Sequence, residues 1–227
     1  SYGISRVCAM DGNEDVKNDI LTTALAFLAE RMDIDVRLFP QYMEYSRLDA
    51  FKKKQKTLRA GGCGVWELDG SVGSHSAAFN EPYKDSGTKG HCYYEKDKIK
   101  SKVKEAINKN IRLSCHAIGE GAIDQITEIY SELEERIPTD GAMMRIDHFE
   151  FPSQKAVELI KRLPLAITVQ PGFSWIDKHF LKSYEQFLPE SIIARQLPLK
   201  DLMNSDVCVC GSSDSPVQSV NPYEQML

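Results

Sequence analysis

Two histidines and one aspartate occupy matching places along the chain and could together hold a metal ion. His116 and His148 each end an apolar run, and Asp214 lies just past another. Neutral imidazole nitrogens and a carboxylate suit Zn²⁺ or a similar divalent cation. A carboxylate beside such a cation can also take a proton from water, while the cation polarises a carbonyl group. The residues alone leave two interpretations open: a metal centre, or hydrogen-bonded structural histidines at strand ends.

The elements that would position these groups are strands and helices in alternation. Seven apolar runs predict strands, at residues 4–9, 36–39, 64–69, 111–116, 144–148, 165–170 and 207–211. Helical patterns follow most of them, at residues 14–31, 47–59, 96–108, 121–136 and 153–163, and a long polar loop covers residues 70–94. This alternation is typical of a parallel sheet covered by helices.

Polar and ionisable residues at the ends of several predicted strands favour a (β/α)8 barrel over an open, doubly wound sheet. These residues are Asp69, His116, His148, Gln170 and Asp214. In such a barrel the carboxyl ends of all strands converge on one face, where catalysis takes place. The open sheet stays as the alternative, although no Gly-rich phosphate-binding fingerprint follows any predicted strand.

The bulk properties predict a single domain over residues 1–227. Hydrophobic residues make up 42% of the chain, which is enough for one sizeable core. The net charge of −5, with mixed signs throughout, argues against a nucleic-acid partner. The sequence contains no apolar run of about 18 residues, so no membrane span is expected. The six cysteines include no CxxC pair and are expected to be reduced and mostly buried, as in a cytoplasmic protein.

Five motifs in register resemble amidohydrolase family 3, in its YtcJ-like branch. They lie at residues 69–78 with 81–83, 116–120, 145–148, 169–173 and 211–216, in the order of the family, and span nearly the whole chain. The resemblance implies a (β/α)8 barrel of the amidohydrolase superfamily. It also implies that His116 and His148 are metal ligands from the fifth and sixth barrel strands, and that Asp214 is the eighth-strand aspartate.

The resemblance further implies that part of the barrel lies outside this sequence. The family's first strand carries an HxH pair, and no HxH occurs here, so the chain is expected to be a fragment with barrel strands two to eight. At the position of the family's bridging lysine this chain has Val65, and Glu67 on the same strand face could supply a bridging carboxylate instead. The alternative is that Glu67 turns outward or bonds to the loop. His75 stands where the family usually has an arginine.

By this resemblance the intact protein is expected to hydrolyse a C–N bond in an amide or cyclic amide of a small molecule. Asp214 would act as the general base. One or two divalent ions, Zn²⁺ or another metal, would be bound by His116, His148, Asp214 and Glu67. The substrate would be contacted by Gln170, Asp69 and His75. For Gln170 the alternative is a hydrogen bond to the backbone.

Other classes of function stay open at this point. One is a non-catalytic barrel scaffold or binding protein without a complete metal site, and another is an isomerase or deaminase on the same barrel. The fragment by itself is expected to be inactive and could lack bound metal, because it has no HxH. Its unpaired strand edges predict self-association. Phe173, Trp175 and Phe180 are expected to line the pocket mouth, with ordinary packing as the alternative.

Overall fold

The computed structural model describes residues 2–17, 19–52, 57–139, 144–175 and 184–225, with the side chains of residues 174, 175 and 225 left out. In this part of the chain the strands are β1 (Arg6–Asp11), β2 (Asp35–Pro40), β3 (Arg59–Glu67), β4 (Arg112–Ala117), β5 (Met144–His148), β6 (Leu165–Val169) and β7 (Cys208–Gly211). They form a two-stranded sheet, β1–β2, and a five-stranded sheet, β3–β4–β5–β6–β7. Every hydrogen-bonded pair of strands is parallel.

Helices occupy most of the connections between strands. The longer ones are α1 (Ile20–Ala29), α2 (Lys96–Asn108), α3 (Glu120–Glu132) and α4 (Gln154–Ile160). The short ones are α5 (Gly172–Trp175), α6 (Glu190–Ile193), α7 (Leu199–Met203) and α8 (Pro222–Gln225), with 3₁₀ turns at Tyr45–Phe51 and Glu134–Arg136. α2 shows why such segments are helical: Ile99, Val103 and Ala106 recur every three or four positions and are buried, and charged residues cover the rest of its surface.

The two sheets face a common interior, in the arrangement of an incomplete barrel. Arg145 of β5 places its Nη1 3.7 Å from the Cys8 Sγ of β1, and its guanidinium carbon lies 4.5 Å from the centre of the Phe39 ring of β2. No ladder joins β2 to β3 or β7 to β1 among the described residues. The predicted parallel α/β architecture is therefore confirmed, with its strands in sequence order around an unclosed ring.

Trp66 lies on β3 and anchors this strand in the hydrophobic core. Its side chain is fully buried, and the indole Nε1 donates to the Tyr42 carbonyl over 3.1 Å. The Tyr45 ring stacks on the indole with ring centres 6.3 Å apart. This anchor holds the last part of β3 in place beside β4, where Glu67 pairs with His116.

Several predicted boundaries were wrong, for identifiable reasons. β3 begins at Arg59 instead of residue 64, because Gly61, Gly62 and Gly64 adopt positive φ angles within the strand that a run of glycines does not reveal. The helix predicted at residues 47–59 is a 3₁₀ helix at Tyr45–Phe51, and residues 53–56 lie outside the described part of the chain. The helix predicted at 14–31 is shorter, Ile20–Ala29, because Asp19 caps it by accepting from the Thr22 amide.

The cysteines are less buried than expected. Only Cys115 is buried, whereas Cys63 and Cys92 are half-buried and Cys8, Cys208 and Cys210 are exposed. The prediction of mostly buried thiols was wrong because β1 and β7, at the ends of the two sheets, leave part of their surface uncovered. No helix in the described residues is both long enough and apolar enough to cross a membrane.

Replacing Gly61 with alanine is expected to destabilise the fold on the order of 3 kcal/mol. A Cβ at this position would lie 1.9 Å from the Ser114 carbonyl oxygen of β4, and the φ of +117° is strained for any residue with a side chain. Gly73→Ala is the matched control, because nothing lies within 4 Å of a Cβ there. Urea unfolding midpoints should separate the two variants, and equal midpoints would contradict the close approach of β3 to β4.

Candidate metal centre

Two buried histidines lie side by side at the carboxyl ends of β4 and β5. The side chains of His116 and His148 are 5% and 4% exposed. Their ring centres are 4.4 Å apart, and the rings meet edge to face at 82°. The parallel β4–β5 ladder creates this proximity by pairing Ala117 with His148, one residue beyond His116.

Each histidine has one ring nitrogen without a partner. The Nδ1 atoms of both His116 and His148 are buried and make no hydrogen bond within the described structure. The other nitrogen is engaged: His116 donates to the Asp69 carbonyl, and His148 is hydrogen-bonded to the Gln170 side chain. Such outer contacts fix the tautomer and orientation of a metal-binding imidazole. The pair thus presents two buried nitrogen atoms with nothing in the described chain to satisfy them.

Both histidines are held in the neutral form. Burial, reinforced by the neighbouring His148, lowers the pKa of His116 to about 3. Burial likewise lowers the pKa of His148 to about 4. An imidazole must be deprotonated to bind a cation, so the shifts of both groups favour ligation at neutral pH.

Three donor side chains meet beside these rings. Cys63 of β3, His148 of β5 and Asp214 after β7 each offer one ligand atom within 4.8 Å of the other two. Burial, followed by the negative charges of Asp147 and Glu67, raises the pKa of Asp214 to about 6. Burial raises the pKa of the Cys63 thiol to about 12, with the charge of Asp214 as the next cause. A sulfur, a nitrogen and an oxygen donor, two from strands and one from the segment after β7, suit a four-coordinate divalent cation.

Two of these three donor residues also have a strained backbone conformation. His148 has a φ of 74° and Asp214 a φ of 51°, in the left-handed region that residues with a side chain seldom adopt. Each such conformation costs roughly 1–3 kcal/mol and is retained mainly where the surrounding structure or the function requires it. Two of the three clustered donors are therefore presented by strained backbone.

The sequence had pointed to His116, His148 and Asp214, and the structure places all three at one rim. Glu67 pairs with His116 in the β3–β4 ladder, and its charge acts on Cys63 and Asp214. Neither Glu67 nor His116 belongs to the three-atom cluster itself, so their roles as ligands stay predictions. Cys63 was missed by the sequence reasoning, which had sought the bridging group at Val65 and Glu67.

Asp69 differs from the expected substrate contact. It is fully buried, and its carboxylate accepts hydrogen bonds from the backbone amides of Ala78, Ile118 and Gly119 at 2.8–3.0 Å. Burial raises its pKa to about 7, although the three amide donors act in the opposite direction. These contacts give Asp69 a structural role, because it ties the loop after β3 to the turn after β4.

Gln170 lies where a substrate or supporting group was expected. It is 4% exposed at the end of β6, and its Nε2 donates to the Ser212 hydroxyl over 2.9 Å while the side chain also contacts His148. Phe173 stacks on the His148 ring with centres 6.2 Å apart. Phe180, predicted for the same pocket mouth, and the side chain of Trp175 lie outside the described residues.

His75 is engaged within the long loop. Its Nε2 lies 2.8 Å from the Asp85 carboxylate, and its ring packs against Tyr83 and Phe187, each with centres 4.8 Å apart. No contact joins His75 to the histidine pair or to Asp214 within the described residues, so a substrate contact stays a prediction.

A buried ion pair lies next to the candidate metal ligands. Arg145 Nε is 2.8 Å from Asp147 Oδ1 and donates to the Ser114 hydroxyl over 2.9 Å, and Ser114 donates to the other Asp147 oxygen. Asp147 directly precedes His148 on β5, and both partners of the pair are largely buried. The pair therefore supports the strand that carries one of the donors.

A comparison with protein families identifies the chain. The model of the amidohydrolase family matches residues 1–226. The chain belongs to the amidohydrolase family. This amidohydrolase chain is 25% identical over 155 residues to the Bacillus subtilis (strain 168) protein YtcJ, which is named as an amidohydrolase. It is also 25% identical over 204 residues to the Arabidopsis thaliana protein LONG AFTER FAR-RED 3.

The chain spans less than half the length of these relatives. The YtcJ match covers 68% of this chain and 28% of YtcJ, and the Arabidopsis match covers 87% and 34%. Crystal structures of metal-dependent hydrolases from Pyrococcus horikoshii OT3 and Pyrococcus furiosus superpose with TM-scores of 0.76 and 0.73, at 21% and 25% identity. Each superposition covers 99% of this chain and 44% or 46% of the other. The predicted fold, an incomplete amidohydrolase barrel, is confirmed.

Proposed function

We propose that this chain supplies part of the active site of a metal-dependent hydrolase that cleaves C–N bonds in small amides or cyclic amides. The observation that carries the proposal is the pair of buried, unpartnered Nδ1 atoms of His116 and His148, the second of which lies in one cluster with Asp214. Family membership supports hydrolysis, and the two Pyrococcus proteins are themselves described as metal-dependent hydrolases.

Each residue of the proposed site has a role that follows from the chemistry of its side chain. His116 and His148 hold a divalent cation, Zn²⁺ or another metal, and Gln170 keeps the His148 ring in place through its hydrogen bond. When bound, the cation polarises the substrate carbonyl and makes water a stronger acid. Asp214 accepts the proton of the attacking water on a carboxylate oxygen and passes it to the leaving nitrogen. Glu67 is the candidate for a carboxylate shared with a second cation.

Metal content tests the proposal before any substrate is known. The full-length protein is dialysed against Zn²⁺ and Co²⁺, and bound metal is measured by mass spectrometry for wild type, His116→Ala and His148→Ala. Loss of an outer contact alone lowers metal affinity about 10–100-fold, so loss of a ligand is expected to cost at least ~100-fold. His91→Ala is the matched control, because His91 is exposed.

Hydrolysis is then measured on a panel of small amides, cyclic amides and esters, with and without a chelator. The proposal expects release of amine and carboxylate that disappears with the metal and returns when the metal is restored. A wild-type protein that binds no metal, or metal binding that is unaffected in both histidine variants, would instead indicate a non-catalytic barrel.

A further inference from the structure

We propose that Cys63 is a ligand of this metal centre, so that a thiolate joins the imidazoles of His116 and His148 as a donor to the cation. The inference rests on the proposed function, because it adds a third donor to the same site. Its geometric basis is that the Cys63 sulfur lies within 4.8 Å of the donor atoms of His148 and Asp214.

The path of β3 explains how this side chain reaches the centre. The β3–β4 ladder runs in register from Arg59 to Gly62, then breaks and resumes only at Glu67. Gly62 and Gly64, on either side of Cys63, have φ angles of +99° and +78°. Irregularities of this kind bend a strand and re-aim a side chain, and they recur next to active sites. Trp66 fixes the far side of the irregular segment in the core.

Cys63 is available as a donor, because it is a half-buried thiol that forms no disulfide in the described structure. Cys115, by contrast, is fully buried and lies 3.6 Å from the Tyr130 hydroxyl, as expected of a structural thiol. The charged groups that act on Cys63 are the carboxylates of Asp214, Glu67 and Asp147. A divalent cation would attract the thiolate of Cys63 and these three carboxylates together.

The unpartnered nitrogen of His148 is an independent sign of a ligand at this point. The His148 side chain is 4% exposed, its Nδ1 has no partner in the described chain, and the residue belongs to the same cluster as Cys63. A buried polar atom without a hydrogen bond costs about 1–3 kcal/mol, so such atoms are rare unless something binds them.

A sulfur ligand limits which metal ions the site is expected to prefer. Thiolate ligands favour Zn²⁺ and other thiophilic ions, whereas sites built from carboxylates and water suit Mg²⁺, Ca²⁺ or Mn²⁺. On binding, the Sγ–metal bond forms as the thiol proton leaves to solvent, so charge and protons balance without any oxidant. The centre is therefore expected to prefer Zn²⁺ and Co²⁺ over Mn²⁺.

Cobalt spectroscopy on the full-length protein tests this assignment directly. A Co²⁺–thiolate bond produces strong charge-transfer absorption in the near ultraviolet, which nitrogen and oxygen ligands alone do not give. We expect this absorption in the wild type, its loss in Cys63→Ser, and a fall in Co²⁺ affinity of at least ~100-fold. Cys92→Ser and Cys210→Ser are the matched controls, because neither residue belongs to the cluster.

A second measurement needs no variant. Bound Zn²⁺ should protect Cys63, but not Cys210, from alkylation by iodoacetamide, as mapped by peptide mass spectrometry. Cobalt that binds in a His148-dependent way without thiolate absorption, with Cys63 unprotected, would overturn the ligand assignment and leave the proposed function standing. A wild type that binds neither metal would overturn both.

Discussion

Asp214→Asn is expected to lower kcat of the full-length enzyme by about 10²–10⁴-fold at saturating metal. Asparagine keeps the shape of the side chain, but its amide cannot take a proton from water or return one to the leaving nitrogen. The φ of 51° at residue 214 is tolerated by asparagine as well as by aspartate, so the backbone should keep its conformation.

The measurement has to separate this loss from weaker metal binding. Asp214 is also one of the three clustered donors, so kcat is compared at metal concentrations that saturate each variant. Asp206→Asn is the matched control, because Asp206 is exposed and precedes β7. Turnover within a few-fold of wild type in Asp214→Asn would show that another group accepts the proton.

Asp147→Ala is expected to destabilise the fold by about 3–5 kcal/mol, because it leaves the Arg145 guanidinium buried without its partner. The Arg145 side chain is 14% exposed and that of Asp147 is 6% exposed, so water can replace little of the lost interaction. The neighbouring Ser114 hydroxyl would also lose its acceptor.

An exposed pair provides the comparison. Asp35 bonds to Arg37 at 2.7 Å, a similar distance, but both side chains are 38% exposed. Asp35→Ala is therefore expected to destabilise the fold much less than Asp147→Ala, because exposed ion pairs contribute little to stability. Free energies of unfolding from urea titration would test the contrast, and similar costs for both substitutions would mean that water reaches the interior pair.

The residues at the strand ends could be predicted from the sequence because parallel strands have the same geometry in every protein. The carboxyl ends of neighbouring strands meet at one edge, so His116, His148 and Asp214 could be placed together from their positions after apolar runs. α2 was predicted at its observed bounds, since its buried residues follow the helical period without interruption.

The position of Cys63 beside His148 and Asp214 could not be predicted from the sequence in the same way. Alternation along a strand assigns side chains to faces only while the ladder is regular, and β3 is irregular between Gly62 and Glu67. Gly62 and Gly64 lie in that stretch, and the strand predicted from the sequence began only at residue 64. A cysteine among them, in a chain without a CxxC pair, gives no spacing signal for a metal.

Asp69 illustrates a second limit of prediction from the sequence. The motif at residues 69–78 suggested a group that faces the substrate, but the carboxylate is saturated by backbone amides. Backbone donors carry no residue type, so a sequence cannot show that they converge on one side chain. In this chain Asp69 anchors the loop after β3.

The contacts of Asp69 also bear on the order in which the structure can assemble. Two of its three amide donors belong to residues 118 and 119, which are 49 and 50 positions further along the chain. The loop after β3 can gain this anchor only once the turn after β4 has come beside it. Closing so long a segment carries an entropic cost before any contact compensates for it. The rim of the barrel should therefore be among the last parts of the molecule to become rigid during folding.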